Sequence, residues 1–317
     1  MKSCPPYRPL RGSQPPHFVD RAEAGQIDGQ GVLASVVAAL ANGPADPRTH
    51  RLLVGGPALG KTALLRSAAA EARRRLGWAV VFHSCRAKQR ALGTVVAEAM
   101  ASMARQWPQY QALMGEAVLH PRLGGMARGA RLAHPAGRGV VAVPGAVEGL
   151  AEASWAELRM ALHLAGRFAS SIGRGLLVVA DDIDALIPGE AEAFGWLSRS
   201  LAGEGLPVSL LLSCKPPLAE HVARSGNYGA TLWVSRLGPM GFDDVAEALA
   251  VPAAERGVVF APEALELAHR SSCGEPLEVQ RLGFGAWSTA AGPHLITVED
   301  VASTAGARAG NGMAVAC

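Results

Sequence analysis

"RLLVGGPALGKTALL", Arg51 to Leu65, is an apolar run that breaks into a glycine-rich turn and resumes at helical spacing. Gly55 to Thr62 spells G-x-x-x-x-G-K-T, and each residue type has a chemical reason in front of a polyphosphate. Consecutive backbone N–H groups at a helix N-terminus can surround several negative charges. Glycine permits close approach and positive φ. Lys61 sets a cation beside β- and γ-phosphates, and the Thr62 hydroxyl can ligate Mg²⁺. Charge-assisted hydrogen bonds of this kind contribute roughly 1.5–3 kcal/mol each, so several together decide binding. Gly55, Gly56, Pro57, Ala58, Leu59, Gly60, Lys61, Thr62 and Ala63 are therefore the candidate nucleotide-binding residues.

The surroundings fit this P-loop pattern. Apolar runs at Arg51–Val54, Trp78–His83, Gly175–Ala180, Pro207–Ser213 and Thr231–Val234 have the length and Val/Leu content of strands buried on both faces. Between them lie helical patterns at Lys61–Leu76, Ala91–Trp107 and Ser154–Ile172, the first stopped by Gly77 and the last opened by a Ser154-x-x-Glu157 capping box. Alternation of this kind predicts a parallel sheet with helices on both faces. After Leu237 no strand is expected, only short helices that begin at Asp, Pro or Thr. The expected organisation is a disordered proline-rich arm over 1–17, an α/β core over 18–237, a small helical lid over 238–305 and a tail over 306–317. Within the core, about 117–147 is a Gly- and Pro-rich insertion with Arg122, Arg128, Arg131 and Arg138 and no acidic residue, read as a solvated segment or a basic contact surface.

A second chemical signal is "GLLVVADDIDAL", which puts Asp181 and Asp182 at the end of a buried strand. Asp181 would hold Mg²⁺ through water, and Asp182 would orient or deprotonate the attacking water. Two carboxylates there can also merely cap the next helix, and Asp184 reads as a loop residue.

With 317 residues the chain can bury a sizeable core. A composition of 49% hydrophobic and 18% charged residues with net charge +3 does not by itself imply a nucleic-acid partner. Five scattered cysteines without a C-x-x-C pair fit a reducing cytoplasm and argue against a disulfide framework or a zinc site. No stretch approaches the roughly 20 apolar residues that span a bilayer, so no membrane partner is expected and the location is read as cytoplasmic. Gly29-x-Gly31-x-x-Ala34 lacks the preceding strand of a dinucleotide fingerprint, and no H-E-x-x-H or G-x-S-x-G appears.

On the P-loop and the strand-end carboxylates, the chain resembles P-loop ATPases of the AAA+/STAND branch, similar to origin-recognition-type and archaeal ATPases. "FVDRAEAGQI" is similar to that family's F-[VI]-G-R-x-x-E box, which covers the adenine; Phe18, Val19 and Arg21 match, with Asp20 where glycine is usual. The resemblance implies an ASCE-type five-stranded sheet in which the strand ending at Ser213 lies between the P-loop and Walker B strands. Ser213 would then be a polar sensor of the γ-phosphate, and Pro276 of "GEPLEVQ" would come close to the nucleotide with Gly274. The Walker B motif ends Asp-Asp, not Asp-Glu, which implies slow turnover; a lid arginine is missing at Pro276, with Arg281 one turn later. The expectation is an ATP- and Mg²⁺-dependent conformational switch that hydrolyses slowly, with Lys61, Asp182 and Ser213 in catalysis and Thr62 and Asp181 at the metal. The alternatives are a non-hydrolysing regulatory module or a DNA-associated initiator or loader. Because the chain ends at "GARAGNGMAVAC" with no winged-helix segment, DNA binding is not carried over from the resemblance. The protein partner and a homo-oligomer are left open.

Overall fold

The computed structural model of the protein describes residues 4–7, 9, 18–24, 30–85, 92–107, 155–186, 189–224 and 231–309. The 117–147 insertion and the Ser154 capping box lie outside them. The chain divides into two compact units. One comprises Ser35–Val54 and Ala68–Ser235; the other takes in the segment up to Ala34, Gly55–Ser67 and the chain from Arg236 on.

The first unit is built on a five-stranded sheet of β1 (Arg51–Val54), β2 (Ala79–Ser84), β3 (Leu176–Asp181), β4 (Val208–Cys214) and β5 (Trp233–Arg236). Their order is β2-β3-β4-β1-β5, and the β2–β3, β3–β4 and β1–β4 pairings are parallel. Strand β4 therefore separates β1 from β3, as the resemblance implies. Parallel neighbours need crossovers, here mostly helical. Helix α1 (Val32–Asn42) precedes β1, α2 (Lys61–Leu76) links β1 to β2, and α3 (Leu92–Gln106) and α4 (Trp155–Ser171) lie between β2 and β3. Helix α5 (Glu190–Glu204) joins β3 to β4, and α6 (Pro216–Arg224) follows β4. Gly77, at φ +62°, ends α2 where a side chain would strain.

Period-two alternation sorts the strand residues by face. Leu176, Val178 and Ala180 of β3 and Val208, Leu210 and Leu212 of β4 share one apolar cluster with Val95, Val96 and Met103 of α3, Leu162 of α4 and Phe194 of α5. The opposite face carries Leu177, Val179 and Asp181 of β3 and Ser209, Leu211 and Ser213 of β4, all buried as well. Alternation thus puts Asp181 and Ser213 on one face of neighbouring strands, at their C-terminal ends.

The other unit carries α7 (Phe242–Ala254), α8 (Pro262–Ser272), α9 (Pro276–Thr289) and α10 (Val298–Ala309). Two short strands, β6 (Val259–Phe260) and β7 (Leu295–Ile296), pair in parallel, which corrects the expectation of no strand after Leu237. Two-residue strands carry no readable period. Tyr7, inside the proline-rich segment, is buried among these helices. Its hydroxyl donates to Leu249 O at 2.7 Å, and its ring meets Phe260 and Trp287 edge-on at 6.4 and 6.2 Å between centroids. Gly283 makes room for it, since a Cβ there would lie 2.9 Å from Tyr7 Cδ1.

Two stability measurements follow from this packing. Tyr7→Ala should cost about 3–5 kcal/mol in urea unfolding, and Tyr7→Phe, which loses only the hydrogen bond, about 1 kcal/mol. His50 is buried, and its Nδ1 accepts the Leu210 N–H at 3.2 Å, so protonation there would set two donors face to face. Burial holds its pKa down at about 4, against 6.5 for a free imidazole. A depressed histidine contributes stability that is present above pH 6.5 and lost as the pH falls toward 4. Unfolding free energy should drop by on the order of 3 kcal/mol across that window, and His50→Asn should remove that component.

Candidate functional site

The phosphate loop follows β1 directly. Val54 pairs with Cys214 in the sheet, and Gly55 is the next residue. A Cβ on Gly55 would come 3.2 Å from Leu237 O, so the glycine permits a close backbone approach. Ala58 takes φ +60° at the exposed tip and Gly60 φ +80° at its base. A Cβ on Gly60 would also stand 3.3 Å from Arg21 Nη2 and 3.5 Å from Pro276 Cγ. Helix α2 starts at Lys61, and Leu64 N–H donates to Gly60 O at 3.0 Å. The helix dipole directs positive potential toward this end.

Lys61 is buried, and its ammonium donates to Gly55 O at 2.9 Å and Gly56 O at 2.8 Å. Among the described residues it forms no ion pair with a carboxylate. A buried cation partnered only by carbonyl dipoles, at the head of a helix, favours an anion. Thr62 and Ala63 are half-buried in the first turn, and Pro57 is exposed.

The Phe18–Arg21 box lies in the same unit as this loop. The Arg21 guanidinium donates to Gly238 O at 2.7 Å and, through Nη2, to Leu59 O. It thereby ties the loop backbone to the stretch leading into α7. Phe18 is half-buried, and Val19 packs against the helical cluster. Asp20, standing where the resemblance expects glycine, has its own task. Its two carboxylate oxygens accept Leu33 N–H at 2.7 Å and Ala34 N–H at 2.8 Å, capping α1. Gly31 is small for this carboxylate, because a Cβ would lie 2.2 Å from Asp20 Oδ2. Gly274 takes φ +69°, and a Cβ there would lie 2.3 Å from Met240 O, so the glycine permits a close backbone approach; Pro276 lies against Gly60. Arg281 pairs with Glu278 at 2.6 Å.

The carboxylate cluster sits at the ends of β3 and β4 in the other unit. Asp181 is 3% exposed, and its Oδ1 accepts the Ser213 hydroxyl at 2.5 Å. The same Ser213 oxygen accepts Asp182 N–H at 2.8 Å. Asp182 takes φ 57°, ψ 50°, a left-handed conformation that costs a non-glycine residue roughly 1–2 kcal/mol. A short 3₁₀ turn, Ile183–Ala185, follows. Cys85 N–H donates to Asp181 O at 2.9 Å, and burial together with the charges of Asp181, Asp182, Asp184 and Glu190 pushes the Cys85 thiol up to about 12, so it stays protonated. Asp184, placed in the loop by the sequence reading, pairs with Lys215 at 3.0 Å. A basic residue two positions beyond Ser213 was the available signal for this partner.

Among the described residues no group of three or more His, Cys, Asp or Glu side chains can hold a metal. The Thr62 hydroxyl and the Asp181 carboxylate are hard oxygen donors of the kind Mg²⁺ takes when substrate phosphates and waters complete its shell. Each of the two oxygens could separately join such a shell around a metal that arrives with a nucleotide. No helix among the described residues is long and apolar enough to cross a membrane.

Comparison with known proteins agrees with this architecture. Among solved structures, Cdc6p from Pyrobaculum aerophilum is similar at a TM-score of 0.51 and 15% identity, over 91% of this chain and 68% of that one. A Walker-type ATPase of Pyrococcus abyssi is similar at a TM-score of 0.52 and 12% identity, over 92% of this chain and 75% of that one. At such identities the likeness is one of fold. Comparison with curated protein sequences gives no match. Residues 32–212, more than half of the chain and inclusive of the G-x-x-x-x-G-K-T loop and the strand-end carboxylates, match the AAA ATPase domain, and the chain belongs to that family of nucleotide-binding P-loop ATPases.

Proposed function

We propose that the protein binds ATP with Mg²⁺ and hydrolyses it slowly in the cytoplasm, the bound nucleotide acting as a conformational switch on the helical lid. The buried Lys61 ammonium at the head of α2, which has no carboxylate partner among the described residues, carries this reading, since it calls for an anion. In this scheme Gly55–Ala63 surround the phosphates and Lys61 neutralises their charge. Phe18, Val19 and Arg21 border the base, and Pro276 lies at the phosphate side against Gly60. Mg²⁺ held by Thr62 and Asp181 would neutralise phosphate charge as it develops. Asp182 orients or deprotonates the attacking water, and Ser213 holds the Asp181 carboxylate and the Asp182 backbone N–H.

The contacts that Arg21 and Pro276 make with the loop support coupling of phosphate occupancy to the lid. Shifting a two-state equilibrium almost completely takes a differential affinity of about 5.5 kcal/mol. Interactions with the γ-phosphate from loop and lid would supply it. The short Asp182 side chain, where most AAA+ enzymes carry Glu, favours slow turnover and keeps a non-hydrolysing regulatory module as the second reading. Arg122, Arg128, Arg131 and Arg138, the basis of the DNA-associated reading, lie outside the described residues.

Lys61→Ala should abolish ATP binding in equilibrium titration while leaving the circular dichroism spectrum unchanged; retained affinity would refute the phosphate-loop assignment. In single-turnover assays Asp182→Asn should slow phosphate release by about 10²–10⁴-fold, the usual contribution of a general base. Wild-type release no faster than that variant would leave only the regulatory reading. Salt-dependent DNA binding that weakens on neutralising the four arginines would instead favour the initiator reading, and a flat response would remove it.

A further inference from the structure

Asp184 and Lys215 lie beyond the residues given a task so far, just past the two strand ends that carry the carboxylate cluster. One Asp184 oxygen accepts the backbone N–H of Lys215 at 3.1 Å, and the other meets Lys215 Nζ at 3.0 Å. The Asp184 carboxylate is largely buried while the Lys215 side chain is about half exposed. Solvent screens the ion pair, so the restraint comes mainly from the bond to the backbone. That bond fixes the chain two residues beyond Ser213, as β4 fixes it on the other side. Ser213 is thereby held from both directions.

The Ser213 hydroxyl has one proton, which goes to Asp181 Oδ1, and its lone pair takes Asp182 N–H. Both bonds fail if Ser213 moves by more than a few tenths of an ångström. The second of them ties the backbone of Asp182, where the chain takes its left-handed turn, to the end of β4. We infer that Asp184 and Lys215 form a positioning clamp, which acts through Ser213 to hold Asp182 in its left-handed conformation for hydrolysis. The inference rests on the ATPase reading for its catalytic consequence and on the geometry for the clamp itself. Asp184 and Lys215 are positioning residues, not catalytic ones.

The test compares the full-length protein with Asp184→Ala, Asp184→Asn, Lys215→Met and Ser213→Ala. Hydrogen exchange of the Asp182 amide is read without nucleotide, and ATP affinity and single-turnover phosphate release with it. Asp184→Ala should speed Asp182 exchange by about tenfold or more, toward the Ser213→Ala value, and slow phosphate release by about tenfold, with ATP affinity within about twofold of wild type. Asp184→Asn, which keeps an acceptor for the Lys215 N–H, should restore both to within about threefold, and Lys215→Met should behave likewise. Unchanged Asp182 exchange in Asp184→Ala overturns the clamp. So does a parallel loss of ATP affinity, which marks general loosening of the fold. Wild-type protein that releases no phosphate would count against the ATPase reading, whereas the exchange measurement would still decide whether Asp184 holds Asp182.

Discussion

The structure turns on a buried ammonium ion. Lys61 stands at the first position of α2 with two backbone carbonyls as its partners, and the chain on either side is shaped to bring those groups together. Gly60 takes a left-handed φ of +80°, which strains any other residue, and Gly55 runs close to Leu237 O. Burying a charge is costly unless it is well partnered, and carbonyl dipoles compensate it only in part. A polyanion would complete the compensation. In the proposed scheme the same positive end of α2 would serve both binding and charge stabilisation, because phosphoryl transfer asks a protein mainly for positioning and electrostatics.

A second constraint operates on the anionic side of the chemistry. Asp181 and Ser213 come from neighbouring strands, and parallel register with period-two alternation puts them on one face. The sheet thus delivers the hydroxyl to the carboxylate with no special loop. At the left-handed turn of Asp182, the same Ser213 accepts the backbone N–H. A sensor position read from sequence as facing the γ-phosphate is, in the structure, first a hydrogen-bond partner of both strand-end aspartates. Strain held in this way at a strand end is common where a side chain must be aimed.

Much of this was legible in the sequence because buried parallel strands are short apolar runs and the P-loop has a nearly fixed spelling. Arg51–Val54 and Lys61–Leu76 match their expected bounds to the residue, and β4 lies where the resemblance put it. Helices α5 and α6 were less visible; the alanines and glycines of α5 blur its apolar stripe, and α6 opens on two prolines. The roles of Asp20 and Tyr7 depend on partners distant in sequence, Leu33 and Ala34 for one and Leu249 for the other, and no local pattern announces them. Arg21 matched a motif whose wording says nothing of its bonds to Leu59 O and Gly238 O. Side-chain-to-backbone ties of that kind are specified by the fold, not by residue spacing.

The most direct test is a crystal structure of the protein grown with Mg²⁺ and a non-hydrolysable ATP analogue. The account predicts that Lys61 Nζ exchanges the Gly55 and Gly56 carbonyls for phosphate oxygens, with Thr62 and Asp181 on the metal side. An analogue bound elsewhere, or a Lys61 that keeps both carbonyls while the nucleotide lies outside the loop, would contradict it.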